Sequence, residues 1–345
     1  MDLRQEARQI LQENTVVDAH LDLLKDVLKQ RSLGKTRVIE TEYLPDFRKG
    51  GIDVVVSSLY VDEEYLPELA LRHALDQISC LYQEMEESPD IMALCRNTGE
   101  ISRAVENGKI AILLSFEGVE PLGRDYNLLE IFYQLGLRLI GLTWSRMNFA
   151  ANGSRFFQEK RGKEGGLTEF GLQILDFAHR KRMLMDVSHL NDPGFWEVLD
   201  FFPGPVIAFH CNCRSLTDIP RNLSDDMIKA IAQRGGVVGI NAASIVAAET
   251  DENIGLHTLA DHIDHIAGLV GPDSVGFGFD LCKRIYSGYT SLNTEKLGRT
   301  PFDILQDYGD VEELVRILLS RGYRREDLLK ICGGNFLRVF ASSLD

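Results

Sequence analysis

Eight short β-rich segments, each separated from the next by amphipathic stretches, run along the whole of this chain. They are TVVDAH (15–20), GIDVVVSSLY (51–60), KIAILLSFEG (109–118), LRLIGLTW (137–144), RMLMDVSH (182–189), PVIAFHC (205–211), GGVVGIN (235–241) and DSVGFGFD (273–280). Several are unbroken apolar runs, the pattern of parallel strands covered on both faces. The stretches between them have helical spacing. In LSDDMIKAIAQRGG, Ser224 is placed to cap a helix that stops at Gly235. TEFGLQILDFAHRKR and LADHIDHIAGLVG follow the same rule, and the basic cluster at 179–183 reads as a solvated helix end. Strands alternating with helices allow two architectures, a closed (β/α)8 TIM barrel or a doubly wound open sheet.

The polar residues choose between them. His20, Asp22, Glu117, His189, His210 and Asp280 all stand at or just past the C-terminal ends of their segments. Several strands sending polar groups to one rim is the layout of a barrel enzyme. No G-x-G-x-x-G follows the first strand, which speaks against a dinucleotide fold. A length of 345 residues suits one such barrel, and no linker interrupts it, so residues 1–345 are read as a single domain. Residues 281–308 are polar and form a long loop after the eighth strand, placed to act as a lid.

Composition narrows the partners. The net charge of −15 comes without any basic stripe, so nucleic acid is not an expected partner. The N-terminal MDLRQEARQILQEN is an amphipathic helix pattern without the apolar run of a secretion signal, and no run approaches membrane-spanning length. Six scattered cysteines read as reduced thiols, and the chain as cytoplasmic. Cys211 and Cys213 lack the second pair that a cysteine zinc site requires.

His20 and Asp22 sit two apart at the end of an apolar segment, a spacing that sends both side chains to one face of a strand. Buried charges are costly unless they are paired or hold a metal. Glu117 closes the run AILLSFEG, and its two oxygens can bridge two cations. His189 and His210 end consecutive segments. Imidazole and carboxylate together suit zinc best, with Mn2+, Co2+ or Fe2+ as alternatives. Asp280 stands beside these as a candidate general acid or base. Arg221, in TDIPRN after the sixth strand, is a candidate clamp for a substrate carboxylate.

These stretches, with DVSHLND, VIAFHCNCRSLTDIPRNLSDDMIKAIAQRGGVVGIN, TLADHIDHIAGLVGPDSVGFGFD and GGNFLRVF, resemble the membrane (renal-type) dipeptidase family of zinc metallopeptidases from about residue 14 to 340. The resemblance implies a (β/α)8 barrel with two zinc ions, His20 and Asp22 on one, His189 and His210 on the other, and Glu117 between them. It implies cation-activated water as the attacking group, Asp280 as the acid/base and Arg221 as the holder of the substrate's C-terminal carboxylate. It further implies dipeptide substrates, including those with a C-terminal D-residue, and a homodimer without membrane attachment.

The chain departs from the family pattern twice. Trp144 stands in GLTWSRMN where the family has a substrate-binding histidine, and Cys282 stands where it has a second aspartate after Asp280. Indole is bulkier than imidazole and can only donate. Three readings follow: a dipeptidase, a binuclear metallohydrolase of the same fold acting on another small amide or ester, and a metal-bound protein without catalysis. The retained ligand types disfavour the last.

Overall fold

The computed structural model describes residues 2–157, 162, 164–284 and 298–345. Nine strands occur among them: β1 (Val16–Leu21), β2 (Ile52–Leu59), β3 (Met92–Leu94), β4 (Ile110–Glu117), β5 (Leu137–Gly141), β6 (Leu184–Asp186), β7 (Val206–Ile207), β8 (Val238–Ile240) and β9 (Val275–Phe277). All pairings between them are parallel. The sheet runs β1-β2-β4-β5-β6-β7, a bridge from Ala208 to Val238 carries it to β8, and β8 pairs with β9. The Asp280 N–H donates to the His20 carbonyl at 3.2 Å and closes the ring. The architecture is therefore the expected (β/α)8 barrel. The sequence reading missed β3. It lies along the first half of β4, on the side that β5 takes up from Leu114 onward.

Helices form where caps and apolar spacing coincide. Thr168, Asn191 and Ser224 each accept a hydrogen bond from a backbone N–H in the first turn of the following helix, Glu169–Arg180, Asp192–Phe201 and Asp225–Gln233. One apolar cluster lies between helices and sheet. A second fills the barrel interior with Val17, Ala19, Val54, Val56, Ala111, Leu113, Leu139, Leu184, Ile207 and Phe209. Phe336, Val339 and Phe340 of the C-terminal helix Asn335–Leu344 join the interior cluster, each fully buried. Burying a side chain of this size contributes roughly 1.5–3 kcal/mol.

Two glycines decide how the barrel is filled. A Cβ on Gly239 or Gly278 would lie 1.9 or 1.7 Å from the Phe209 carbonyl oxygen. Only glycine lets β8 and β9 pass this close to the Phe209 backbone, which brings the next residue, His210, to the rim.

Candidate metal centre

Strand alternation places some of the candidate residues and fails for others. Along β4, Ile112, Leu114 and Phe116 face the outer core while Ala111 and Leu113 face the interior, so Glu117 points inward by simple period two. In β1 the register against β2 is irregular between Asp18 and Leu21. Val17 and Ala19 face the interior, yet His20 does as well, stacked on His210 with ring centroids 3.6 Å apart. Asp22 lies beyond the strand, at the start of the helix Leu23–Ser32, and its carboxylate accepts a hydrogen bond from Ser58 Oγ. The shared-face argument for His20 and Asp22 is corrected accordingly: an irregular strand and a helix start, rather than a regular strand, orient the two. His189 likewise sits past β6 in a turn, with φ 65°, and Asp280 has φ 56°. Both are in the left-handed region that non-glycine residues rarely adopt.

Four side chains converge on one point. His20 Nε2 is 3.5 Å from Glu117 Oε2, His189 Nε2 is 3.0 Å and His210 Nε2 3.5 Å from Glu117 Oε1, and the two Nε2 atoms of His189 and His210 are 2.8 Å apart. Ligand atoms of His20, Glu117 and His210 all lie within 4.8 Å of one another. Each of the four residues is at most 5% exposed. His20 Nε2 and Glu117 Oε2 nonetheless have no hydrogen-bond partner. Groups this deeply buried are ordinarily satisfied.

The electrostatics point the same way. Burial raises the Glu117 carboxyl to about 8, with Asp22 adding to the shift and His20 opposing it. Burial, with the charges of Arg221 and His20 added, holds His189 and His210 well below the usual imidazole range. For His20 burial also opposes charge, but Glu117, Asp280 and Asp22 outweigh it and raise the group to about 10. His189 and His210, kept neutral by burial, can offer lone pairs to a divalent cation, and a bound cation would displace the protons that His20 and Glu117 hold without it.

Around this point lies a small cavity of about 30 Å3, with two kinds of wall. Glu117, His189, Arg221, Asn241 and Asp280 form the polar one, and Trp144, Phe156, Ala243, Ile245 and Val246 the apolar one. Asp280 Oδ1 is 3.8 Å from His20 Nε2 and accepts from Cys282 Sγ at 3.3 Å, while Oδ2 accepts from Asn241 Nδ2 at 3.1 Å. Arg221 is 3% exposed. It donates to the His210 carbonyl and to Cys211 Sγ, both at 2.9 Å, and pairs with no carboxylate among the described residues. Trp144 is enclosed by Tyr60, Phe156 and His189, with ring centroids 5.4–5.8 Å away.

The profile of the membrane dipeptidase family, peptidase family M19, matches residues 4–343. The chain belongs to this family.

Family membership makes it a metallopeptidase, a hydrolase of peptide bonds. Human dipeptidase 3 is 28% identical over 348 residues, which cover 99% of this chain and 67% of that protein. A Klebsiella pneumoniae protein of the pqqA 5′ region, itself uncharacterised, is 30% identical over 76% of this chain and 93% of its own length. Among solved structures, an M19 dipeptidase superposes with a TM-score of 0.83 at 26% identity, covering 96% of this chain and 98% of that one. A Rhodobacter sphaeroides metallopeptidase bound to a phosphinate mimic of L-Ala-D-Ala has the same TM-score at 24% identity, over 96% and 99% of the two chains, and so shares the fold.

This family member brings all eight candidate residues to one rim. The sequence reading overlooked three others that hold them: Ser58, which donates to Asp22; Asn241, which donates to Asp280; and Ser145, which lies 2.9 Å from His189 Nδ1. A signal existed for two. Ser58 is a polar residue inside the apolar run VVVSSLY, and Asn241 ends GGVVGIN as the ligand types end theirs. Of the loop expected at 281–308, residues 285–297 lie outside the described residues. The remainder is tied to the barrel by the Ser244 N–H to Phe302 O and Ile304 N–H to Ala242 O bonds. All six cysteines are free thiols. No helix among the described residues is long and apolar enough to cross a membrane.

Proposed function

We propose that this protein is a zinc dipeptidase with two cations at the barrel rim, His20 and Asp22 holding one, His189 and His210 the other, and Glu117 bridging. The observation that carries this reading is the convergence of buried His20 Nε2 and Glu117 Oε2, both without a hydrogen-bond partner, beside Arg221, a buried cation with no carboxylate partner among the described residues. Bound zinc supplies Lewis-acid polarisation of the scissile carbonyl and lowers the pKa of water.

The chain's own residues supply the rest. Arg221 faces the cavity as the only guanidinium among the described residues of its lining and binds the free carboxylate of the dipeptide. Its hydrogen bonds to the His210 carbonyl and Cys211 keep the fork fixed relative to a ligand histidine. Asp280 accepts the proton released by the attacking water and returns it to the leaving amine, and Asn241 and Cys282 each hold one of its oxygens during that exchange. Trp144, Phe156, Ile245 and Val246 bound the other side of the cavity, where they exclude water and limit the side chains that enter. Activity in the cytoplasm as a homodimer belongs to the same proposal.

The test is turnover of L,L and L,D dipeptides by protein whose zinc content is measured on the same sample. Release of free amino acids that depends on zinc is the expected outcome. Zinc-loaded protein that cleaves no dipeptide but does hydrolyse small acyl amides or esters would transfer the site to the second class of substrate.

A further inference from the structure

Ser145 follows Trp144 in the segment LTWSR, and no role attaches to it in the family resemblance. Its Oγ lies 2.9 Å from His189 Nδ1, and both side chains are buried. The ring's other nitrogen, Nε2, is the one that faces Glu117 Oε1 at 3.0 Å and His210 Nε2 at 2.8 Å. The same loop holds the His189 backbone. Thr143 Oγ1 donates to the His189 carbonyl at 3.2 Å, and the Ser154 N–H donates to it at 2.6 Å. These bonds stabilise a residue whose φ of 65° is unfavourable for a side chain with a Cβ. One segment, residues 143–154, therefore grips both the main chain and the ring of His189.

A neutral imidazole carries one N–H, and the nitrogen without it is the one that can bind a cation. A serine hydroxyl accepts as readily as it donates. If Ser145 donated to Nδ1, the ring proton would sit on Nε2, directed at Glu117 and His210, and no lone pair would face the centre. If Ser145 accepts from Nδ1–H, the Nε2 lone pair is free. We infer that Ser145 is a positioning residue that holds His189 in the Nδ1–H tautomer and so presents Nε2 to the cation. The inference rests on the reading of His189 as a metal ligand. Partners of this kind typically contribute 10- to 100-fold in metal affinity.

The experiment uses the full chain and zinc as the probe. Zinc affinity is measured by competition with a chromophoric chelator for wild type, Ser145→Ala, Ser145→Thr and His189→Ala, alongside thermal unfolding of each metal-free protein. The His189 ring N–H is followed by 15N-edited NMR in the zinc-loaded state. Ser145→Ala is expected to bind one zinc roughly 10- to 100-fold more weakly with an unchanged metal-free midpoint. Its Nδ1–H is expected to exchange faster with solvent than in wild type. Ser145→Thr keeps the hydroxyl and restores both. Wild-type affinity in Ser145→Ala overturns the inference, as does a loss of metal-free stability with no loss of affinity. Should Ser145→Ala fail to fold, the threonine variant and the wild-type N–H signal decide: a wild-type Nδ1–H that exchanges freely overturns the inference too. Wild-type affinity in His189→Ala would instead remove His189 from the ligand set, a separate failure from that of Ser145.

Discussion

Removing the cations should loosen the whole barrel by a calculable amount. The four converging residues come from three separate stretches of chain, 20, 117 and 189–210, and each is at most 5% exposed. Unfolding scatters them, so a cation binds the folded chain far better than the unfolded one. An ion held at 100 to 1,000 times its dissociation constant then stabilises the fold by about 2.7 to 4.1 kcal/mol. A chain of 345 residues unfolds with an entropy of about 0.7 kcal/mol per kelvin at roughly 2.1 cal/mol/K per residue. Each ion is thus expected to raise the midpoint by about 4 to 6 °C. The assay is differential scanning calorimetry of one preparation after chelation with EDTA, then after stepwise return of zinc, with metal content measured at each step. His210→Ala, which removes a fully buried ligand, should begin from a lower midpoint and lose most of the zinc response. A wild-type midpoint that stays in place while the measured zinc content rises to two per chain would refute the reasoning, because the ions would then be bound at sites that do not depend on the fold.

Asp280→Asn keeps the shape but cannot carry the proton, so kcat should fall by about 10² to 10⁴ with zinc content unchanged; a fall below about fivefold takes Asp280 out of the mechanism. Arg221→Met should lower kcat/KM for free dipeptides by about 1.5–3 kcal/mol, the worth of a hydrogen bond to a charged group, and leave C-terminally amidated dipeptides, poor substrates already, nearly unaffected. Equal handling of acid and amide by the wild type would end the clamp. Trp144→His empties space between Tyr60 and Phe156 and should widen the range of side chains accepted in a dipeptide panel; lower activity on every member would show that the indole is itself required. Away from the site, Arg31→Met strands Glu84, which is fully buried and paired with Arg31, and should cost about 3–5 kcal/mol by chemical denaturation. Arg31 also holds the Glu87 carboxyl down at about 2, chiefly through its hydrogen bonds. The Glu87 share of that loss is present above the ordinary carboxylate range and vanishes as pH falls through about 2, so the gap between wild type and variant should narrow on acidification.

The pattern of alternating segments was enough for the barrel, because parallel strands covered on both faces must be apolar throughout and the polar exceptions must collect at one end. Glu117 could be placed from the chain alone, since β4 is regular and period two carries its side chain inward. Six of the eight candidate residues stood out for a related reason: a histidine or carboxylate at or just past the end of an apolar run is chemically conspicuous, whatever its exact orientation, whereas Arg221 lies in a loop and Trp144 was singled out only through the family resemblance. Tertiary structure decided how the others reach the centre. His20 faces inward only because β1 is irregular against β2, and His189 and Asp280 only because neighbouring elements hold them at positive φ. His210 reaches the rim because Gly239 and Gly278, far away in sequence, make room for the backbone of Phe209. The supporting hydroxyls and amides of Ser58, Ser145 and Asn241 belong to the same class. Ser58 and Asn241 stand out in the sequence only as polar residues in apolar runs and Ser145 not at all, and the role of each is set by which buried group lies within hydrogen-bond distance once strands distant in sequence have been brought together.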